Sequence, residues 1–188
     1  MEWHHWKDIY ILQGLAEKLP DLSAMRHYVC REINKMRSLI EGGGLSYKIN
    51  FDEPIPDLIE RLKREHRQFE SRLAELEAIG TVNEQSIAIF EELDGPLVHH
   101  AVEEEAIVLR VIMHKAKEQS AESIKIAREH NWIVDFIKQK VPNLITTMPR
   151  LQAKQEVVEF IQNLRSHFSE EEEIMFPLAL KANSLEGK

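Results

Sequence analysis

The sequence predicts an all-α protein, an up-down-up-down four-helix bundle with an N-terminal helical extension. Three observations support this fold class. Four long segments carry apolar residues at helical spacing and are separated by turn-like sequence. Two of them contain the pattern His-x-x-x-Glu-Glu, and the other two contain the tripeptide Arg-Glu-His. Almost no segment shows the strict alternation of polar and apolar residues that is typical of a β-strand.

Residues 1–50 are predicted to form the helical extension. A short helix through Leu19 is followed by a longer one that begins near Asp21 and ends at a run of three glycines. We expect the two helices to pack as a hairpin on the outside of the bundle. The alternative is that their apolar stripe forms a homodimer contact or docks a partner protein. His4 and His5 are weak ligand candidates, since adjacent residues of a helix lie on different faces.

The bundle itself is expected over residues 51–183, followed by a flexible tail at 184–188. Its helices are predicted at about 56–79, 84–117, 121–141 and 150–182. The tripeptide Asp94-Gly95-Pro96 is expected to break or kink the second helix, because proline lacks an N–H and clashes with the preceding turn. We interpret this feature as a change in the direction of the helix axis. The alternative is that it admits a substrate.

Six residues of the four segments are candidate metal ligands. A His and a Glu four residues apart lie on one face of a helix, so each His-x-x-x-Glu motif presents a nitrogen and an oxygen together. Residues on neighbouring antiparallel helices meet when they are equally far along the chain from the connecting turn. The midpoints in sequence between candidates on successive helices fall near residues 83, 117 and 148, all in turn-like sequence. The candidates are His66, His100, Glu104, His130, His167 and Glu171.

All six candidates lie on the apolar stripes of their helices. For any one histidine, an ordinary core position would be the better interpretation. The carboxylates favour a metal instead, because burying an ionised glutamate without positive charge costs several kcal/mol and no lysine or arginine is placed at the same level. Nitrogen and oxygen ligands without thiolate suit iron, manganese or zinc. A structural zinc site is normally closed by four ligands, so two iron ions sharing carboxylates and an oxo or hydroxo group are favoured over manganese or zinc.

Four other polar residues lie beside these candidates. His99 is rotated by about 100° from its neighbour His100, and Glu70 is one turn from His66. We expect both to lie at the surface or behind the ligands. Glu65 and Glu129 each precede a candidate histidine and are suited to accept a hydrogen bond from an imidazole, although solvated charges are the commoner case.

The fourth segment resembles a known family signature. His167-Phe-Ser-Glu-Glu171 followed by Met175-Phe-Pro177 is similar to the motif of the hemerythrin-like, or HHE cation-binding, domains. The resemblance covers roughly residues 52 to 182. It implies a four-helix bundle in which the four candidate histidines are terminal ligands and the two candidate glutamates bridge two irons.

The resemblance is closer to one part of the family than to another. Oxygen-carrying hemerythrins have a second histidine one turn from the first on the third helix, where this chain has Ile126 and Val134. A set of four histidines and two carboxylates looks more like the di-iron proteins linked to repair of iron–sulfur clusters and to nitric oxide or oxidative stress. Those proteins typically carry adjacent cysteines in an N-terminal segment, whereas this chain has only Cys30.

These features together predict a cytoplasmic non-haem di-iron protein that binds or reacts with O2, NO or peroxide in redox or nitrosative stress. The alternative is an oxygen- or iron-sensing module without turnover. The formal net charge of −8 argues against nonspecific nucleic-acid binding. No apolar run is long enough to span a bilayer, no signal-peptide pattern is recognised, and one cysteine excludes an intramolecular disulfide.

Overall fold

The structure, a computed structural model, describes residues 49–116, 118 and 120–184. This part of the chain contains four long helical elements joined by turns. The predicted extension up to residue 48 and the predicted tail from residue 185 lie outside this part. Helix α1 spans Ile55–Ile79, and α2 spans Glu84–Glu103 and continues as a π-helical segment, Glu104–Leu109, and then as α-helix, Arg110–Lys115. Helix α3 spans Ser120–Asp135 and continues as π-helical Phe136–Lys140 and 3-10 Val141–Asn143. Helix α4 spans Arg150–Glu170 and continues as π-helical Glu171–Met175 and then as α-helix, Phe176–Ser184.

The all-α fold class is confirmed, and no β-strand occurs among the described residues. Each helix packs against the next one along the chain, and α4 also packs against α1, so the four helices close a bundle. The predicted helix limits differ from the observed ones by two residues at most. Every helix of the described residues is too short or too polar to cross a membrane.

The turn between α1 and α2 is defined by local sequence. Gly80 ends α1 in the left-handed conformation, with φ of 63°, which a residue without Cβ adopts at little cost. Asn83 then caps α2: its side chain accepts a hydrogen bond from the Ser86 backbone N–H at 3.0 Å, and the Ser86 hydroxyl accepts one from the Asn83 N–H at 2.9 Å. This reciprocal cap fixes where α2 begins and therefore the register of its later residues.

Apolar side chains fill the half of the bundle that lies towards the α1–α2 and α3–α4 turns. Phe90, Phe136 and Phe160 are fully or almost fully buried there, and the rings of Phe136 and Phe160 stack with centroids 4.4 Å apart. Leu73 of α1 and Leu93 of α2 belong to the same core. This core supports the polar residues that lie next along the bundle axis.

The helical geometry changes in places that the sequence pattern does not predict. A break or a kink is expected at 94–96; helix α2 continues through Pro96, so the break does not occur. Instead, π-helical segments begin at Glu104 in α2 and at Glu171 in α4. Short π-helical segments inside α-helices are rare and frequently occur at functional sites. The segments at Glu104 and Glu171 begin at the glutamate of a His-x-x-x-Glu motif, whereas the third, Phe136–Lys140 in α3, does not.

Candidate metal centre

The structure brings all six candidate ligands together in the interior of the bundle, where each is at most 3% exposed. Their nitrogen and oxygen atoms form two groups, and within each group the atoms lie within 4.8 Å of one another. We call the group of His66 and His100 position 1 and the group of His130 and His167 position 2. Two further residues, Glu104 and Glu171, belong to both positions.

Glu104 faces both positions with different oxygens. Its Oε1 lies 3.4 Å from His100 Nε2 in position 1, and its Oε2 lies 3.2 Å from His130 Nε2 in position 2. The carboxylate therefore lies between the two histidine pairs. This is the arrangement that a carboxylate bridging two ions requires.

Glu171 repeats the arrangement from the opposite side of the bundle. Its Oε2 lies 3.4 Å from His66 Nε2 in position 1. Its Oε1 lies 3.1 Å from His167 Nε2 and 3.2 Å from His130 Nε2 in position 2. Each of the two glutamates thus has one oxygen near position 1 and the other near position 2, in agreement with the repeated sequence motif.

A second set of four glutamates lies behind the histidines, and we call them the outer carboxylates. Each accepts a hydrogen bond from the Nδ1–H of one imidazole, at 2.7 to 3.1 Å. An ionised carboxylate can only accept, so Nδ1 carries a proton in each ring, and in the neutral ring the lone pair of Nε2 faces the centre. The pairs are His66–Glu172, His100–Glu65, His130–Glu105 and His167–Glu129.

The outer carboxylates form a closed ring round the bundle. In every pair the glutamate lies on one helix and the histidine on the next: α1 to α2, α2 to α3, α3 to α4, and α4 back to α1. Glu65 and Glu129 were candidates for this role, and the structure places them there. Glu105 and Glu172 were missed, although the second Glu of each His-x-x-x-Glu-Glu pattern was a repeated signal for them.

The donor atoms fit a bound cation better than they fit one another. Both oxygens of Glu104 and Oε2 of Glu171 are buried without a hydrogen-bond partner. His66 Nε2 and His100 Nε2 lie 2.9 Å apart. Two nitrogens at right angles on a metal, each bonded at about 2.1 Å, would be about 3.0 Å apart. The unpartnered oxygens and the convergent nitrogens together match a metal-ligand set.

The electrostatics of the centre couple the imidazoles to the carboxylates. Burial alone would lower the pKa of His100, but the charge of Glu104 and the hydrogen bond to Glu65 outweigh burial and raise the pKa to about 10. The pKa of His130 is likewise raised against the effect of burial, by Glu104, Glu105 and Glu171. Burial alone would raise the pKa of Glu171, but the neighbouring imidazoles hold it well below its usual range. Raised pKa values at His100, His130 and His167 mean that these three imidazoles bind protons more readily when no metal is bound.

Two other candidates lie outside the centre. Glu70 pairs with Arg165, with Oε1 2.8 Å from Arg165 Nη2, and belongs to neither ligand group. His99 lies with its Nδ1 3.4 Å from Glu103 Oε2 and also belongs to neither group. Both locations agree with the expectation that these residues would be at the surface or behind the ligands.

Comparison with known protein families identifies the family of this chain. The model of the family described as Hemerythrin HHE cation binding domain matches residues 57–179. No curated protein and no solved structure gives a significant match. The matched range contains all six residues of the two ligand groups.

Proposed function

Because this chain belongs to the hemerythrin HHE cation-binding domain family, we propose that its buried centre holds two iron ions and binds or reacts with O2, NO or peroxide in redox or nitrosative stress. The residues that we propose as ligands are His66 and His100 in position 1, His130 and His167 in position 2, and the shared Glu104 and Glu171. Repair of iron–sulfur clusters is a narrower form of the same proposal.

One observation carries the proposal: each shared glutamate presents one oxygen to position 1 and the other to position 2. A single cation would need only one of these oxygens from each residue. Two cations would give every oxygen of Glu104 and Glu171 a partner, and their charge would offset the cost of burying two ionised carboxylates. The geometry therefore favours two ions over one.

The donor set is one that suits iron. Each position offers two imidazole nitrogens and two carboxylate oxygens, and it contains no thiolate. Such sets suit iron, manganese and zinc, and four protein donors on a six-coordinate ion leave room for a small molecule. Bound irons would supply the open coordination positions and the redox chemistry.

The protein's own residues would prepare the centre for this chemistry. The outer carboxylates hold each imidazole with its Nε2 lone pair towards the bound ion, as hydrogen-bonded partners of ligands generally do. Phe168 stacks on the His66 ring at 4.3 Å, and Phe69 lies edge-on to His100 at 5.3 Å. These rings keep one side of position 1 apolar, so a small uncharged molecule would meet little competition from water there.

The first experiment is elemental analysis of the protein purified without added metal from iron-replete cells, followed by rapid mixing of the reduced protein with O2, NO and H2O2. We expect close to two irons per chain and a spectral change with at least one of the three molecules. Zinc alone, one metal or none would contradict the proposal. Two irons with a metal-dependent change of oligomeric state, and no reaction with any of the three, would favour the sensing module instead.

A further inference from the structure

The two positions differ in the cations that lie behind their outer carboxylates. At position 1, Glu65 Oε1 accepts a hydrogen bond from Arg61 Nη1 at 2.8 Å while its Oε2 binds His100. Glu172 Oε2 accepts one from Arg67 Nη2 at 2.6 Å while its Oε1 binds His66. Both imidazoles of position 1 therefore donate to a carboxylate that already binds a guanidinium.

Among the described residues, no guanidinium binds an outer carboxylate of position 2. Glu129 lies 3.7 Å from Lys125 Nζ, and the shorter ion pair of Lys125 is with Glu170. No lysine or arginine in the described parts of the chain forms an ion pair with Glu105. Solvent exposure does not explain the difference, because the four outer carboxylates are all between 19% and 32% exposed.

A cation on the outer carboxylate changes what the imidazole offers to a bound ion. A carboxylate that shares its charge with a guanidinium attracts the imidazole Nδ1–H less strongly, so the ring becomes a weaker electron donor at Nε2. A weaker donor gives less stabilisation to the oxidised, more positively charged state of a bound ion. We propose, resting on the di-iron function proposed above, that Arg61 and Arg67 make position 1 the more readily reduced of the two iron positions.

Arg67 allows the cleaner test of the two arginines. Arg61 also binds Glu53 and the buried Glu103, so its removal would disturb more than one contact. The side chain of Arg67 is 67% exposed and pairs with Glu172. Arg64 is an exposed arginine one turn earlier in α1 and provides a control with the same charge change.

The experiment compares the iron-loaded wild-type protein with its Arg67→Gln and Arg64→Gln variants by redox titration, with Mössbauer spectroscopy of the one-electron-reduced state. We expect Arg67→Gln to make the first reduction less favourable by about tenfold, a potential lower by about 59 mV for a one-electron step. Arg64→Gln should give a clearly smaller shift. Equal shifts in the two variants would mean that only long-range charge matters, and would overturn the proposal.

The reciprocal variant acts on position 2. Glu105→Gln removes the outer carboxylate that no described cation compensates, so it should make the second reduction easier and bring the two potentials closer together. An unchanged separation in a protein that holds two irons would overturn this inference alone. Fewer than two irons per chain in the wild-type protein would overturn it together with the proposed function.

Discussion

Glu65 lies one residue before His66 in α1, yet it accepts its hydrogen bond from His100 of α2, with 2.7 Å between Glu65 Oε2 and His100 Nδ1. The same step from one helix to the next recurs at the other three histidines. Each of the four candidate histidines is therefore oriented by a helix other than its own. The geometry of the centre therefore depends on the packing of all four helices.

Replacement of either shared carboxylate should remove metal. Glu104→Ala and Glu171→Ala should each lose at least one metal ion per chain, because each side chain presents an oxygen to both positions. Elemental analysis after purification measures the loss, and circular dichroism checks that the variants remain helical. His99→Ala and His114→Ala should keep the wild-type metal content. A metal-deficient His99→Ala protein would mean that the wrong face of α2 has been assigned to the site.

An outer carboxylate should affect affinity without being a ligand. Glu129→Gln weakens the acceptor that holds His167, so we expect the metal to bind about 10- to 100-fold more weakly. Competition with a chelator of known affinity measures this change. Glu75→Gln alters an exposed carboxylate that pairs only with the surface Arg72 among the described contacts, and should leave the affinity unchanged. Similar affinities for the two variants would contradict a role for the outer ring.

Metal binding should stabilise the protein more as the pH rises. Burial opposes protonation of His100, but Glu104 and Glu65 raise its pKa in the metal-free protein to about 10, above its ordinary value. A raised pKa contributes stability that is complete below the ordinary value and is lost as the pH rises through the folded value. The pKa values of His130 and His167 are also raised, and they add to this loss of stability. A bound metal replaces the protons, so the metal-loaded protein should not lose this stability.

The difference in Tm between metal-loaded and metal-free protein measures this effect. It should be larger at about pH 8 than at about pH 6, both above the ordinary carboxyl range. Glu104 and Glu171 have lowered pKa values in spite of burial, and they stay ionised across this interval. A difference that shrinks between the two pH values would contradict proton–metal exchange at the imidazoles.

The aromatic core should control stability separately from metal ligation. Phe160 is fully buried and stacks on Phe136, so Phe160→Ala should lower the free energy of unfolding by about 3–5 kcal/mol. Leu151 in the same helix is 72% exposed, and Leu151→Ala should change it by about 0.5 kcal/mol or less. Denaturant titration of the metal-free proteins gives both values. Equal effects in the two variants would contradict the assigned core.

Local sequence was enough to predict the helices and the convergence of the six candidates. His100 and Glu104 share a face because an α-helix repeats every 3.6 residues, and the same holds for His167 and Glu171. The turn after Gly80 could be read from residue types, since glycine and the Asn83 cap define helix ends. These features depend on residues close together in the chain. Periodicity therefore contains the information needed to place them.

The outer ring could not be read in the same way. Glu105 and Glu172 stand in runs of acidic residues, and within a single helix such a run looks like a solvated face. Their partners, His130 and His66, lie on other helices, so the pairing appears only when the bundle is closed. The continuation of α2 through Pro96 is a further feature that the local preference of proline does not predict.

The sequence by itself determined the helical fold, the shared faces of the two His-x-x-x-Glu motifs and the six residues that meet at the centre, because helical period and turn position are local properties. Only the tertiary structure decided which oxygen faces which histidine, that π-helical segments begin at Glu104 and Glu171, and which imidazoles donate to an arginine-bound carboxylate. Those relationships depend on distances of a few ångströms between different helices. Such distances are set by how the whole bundle packs.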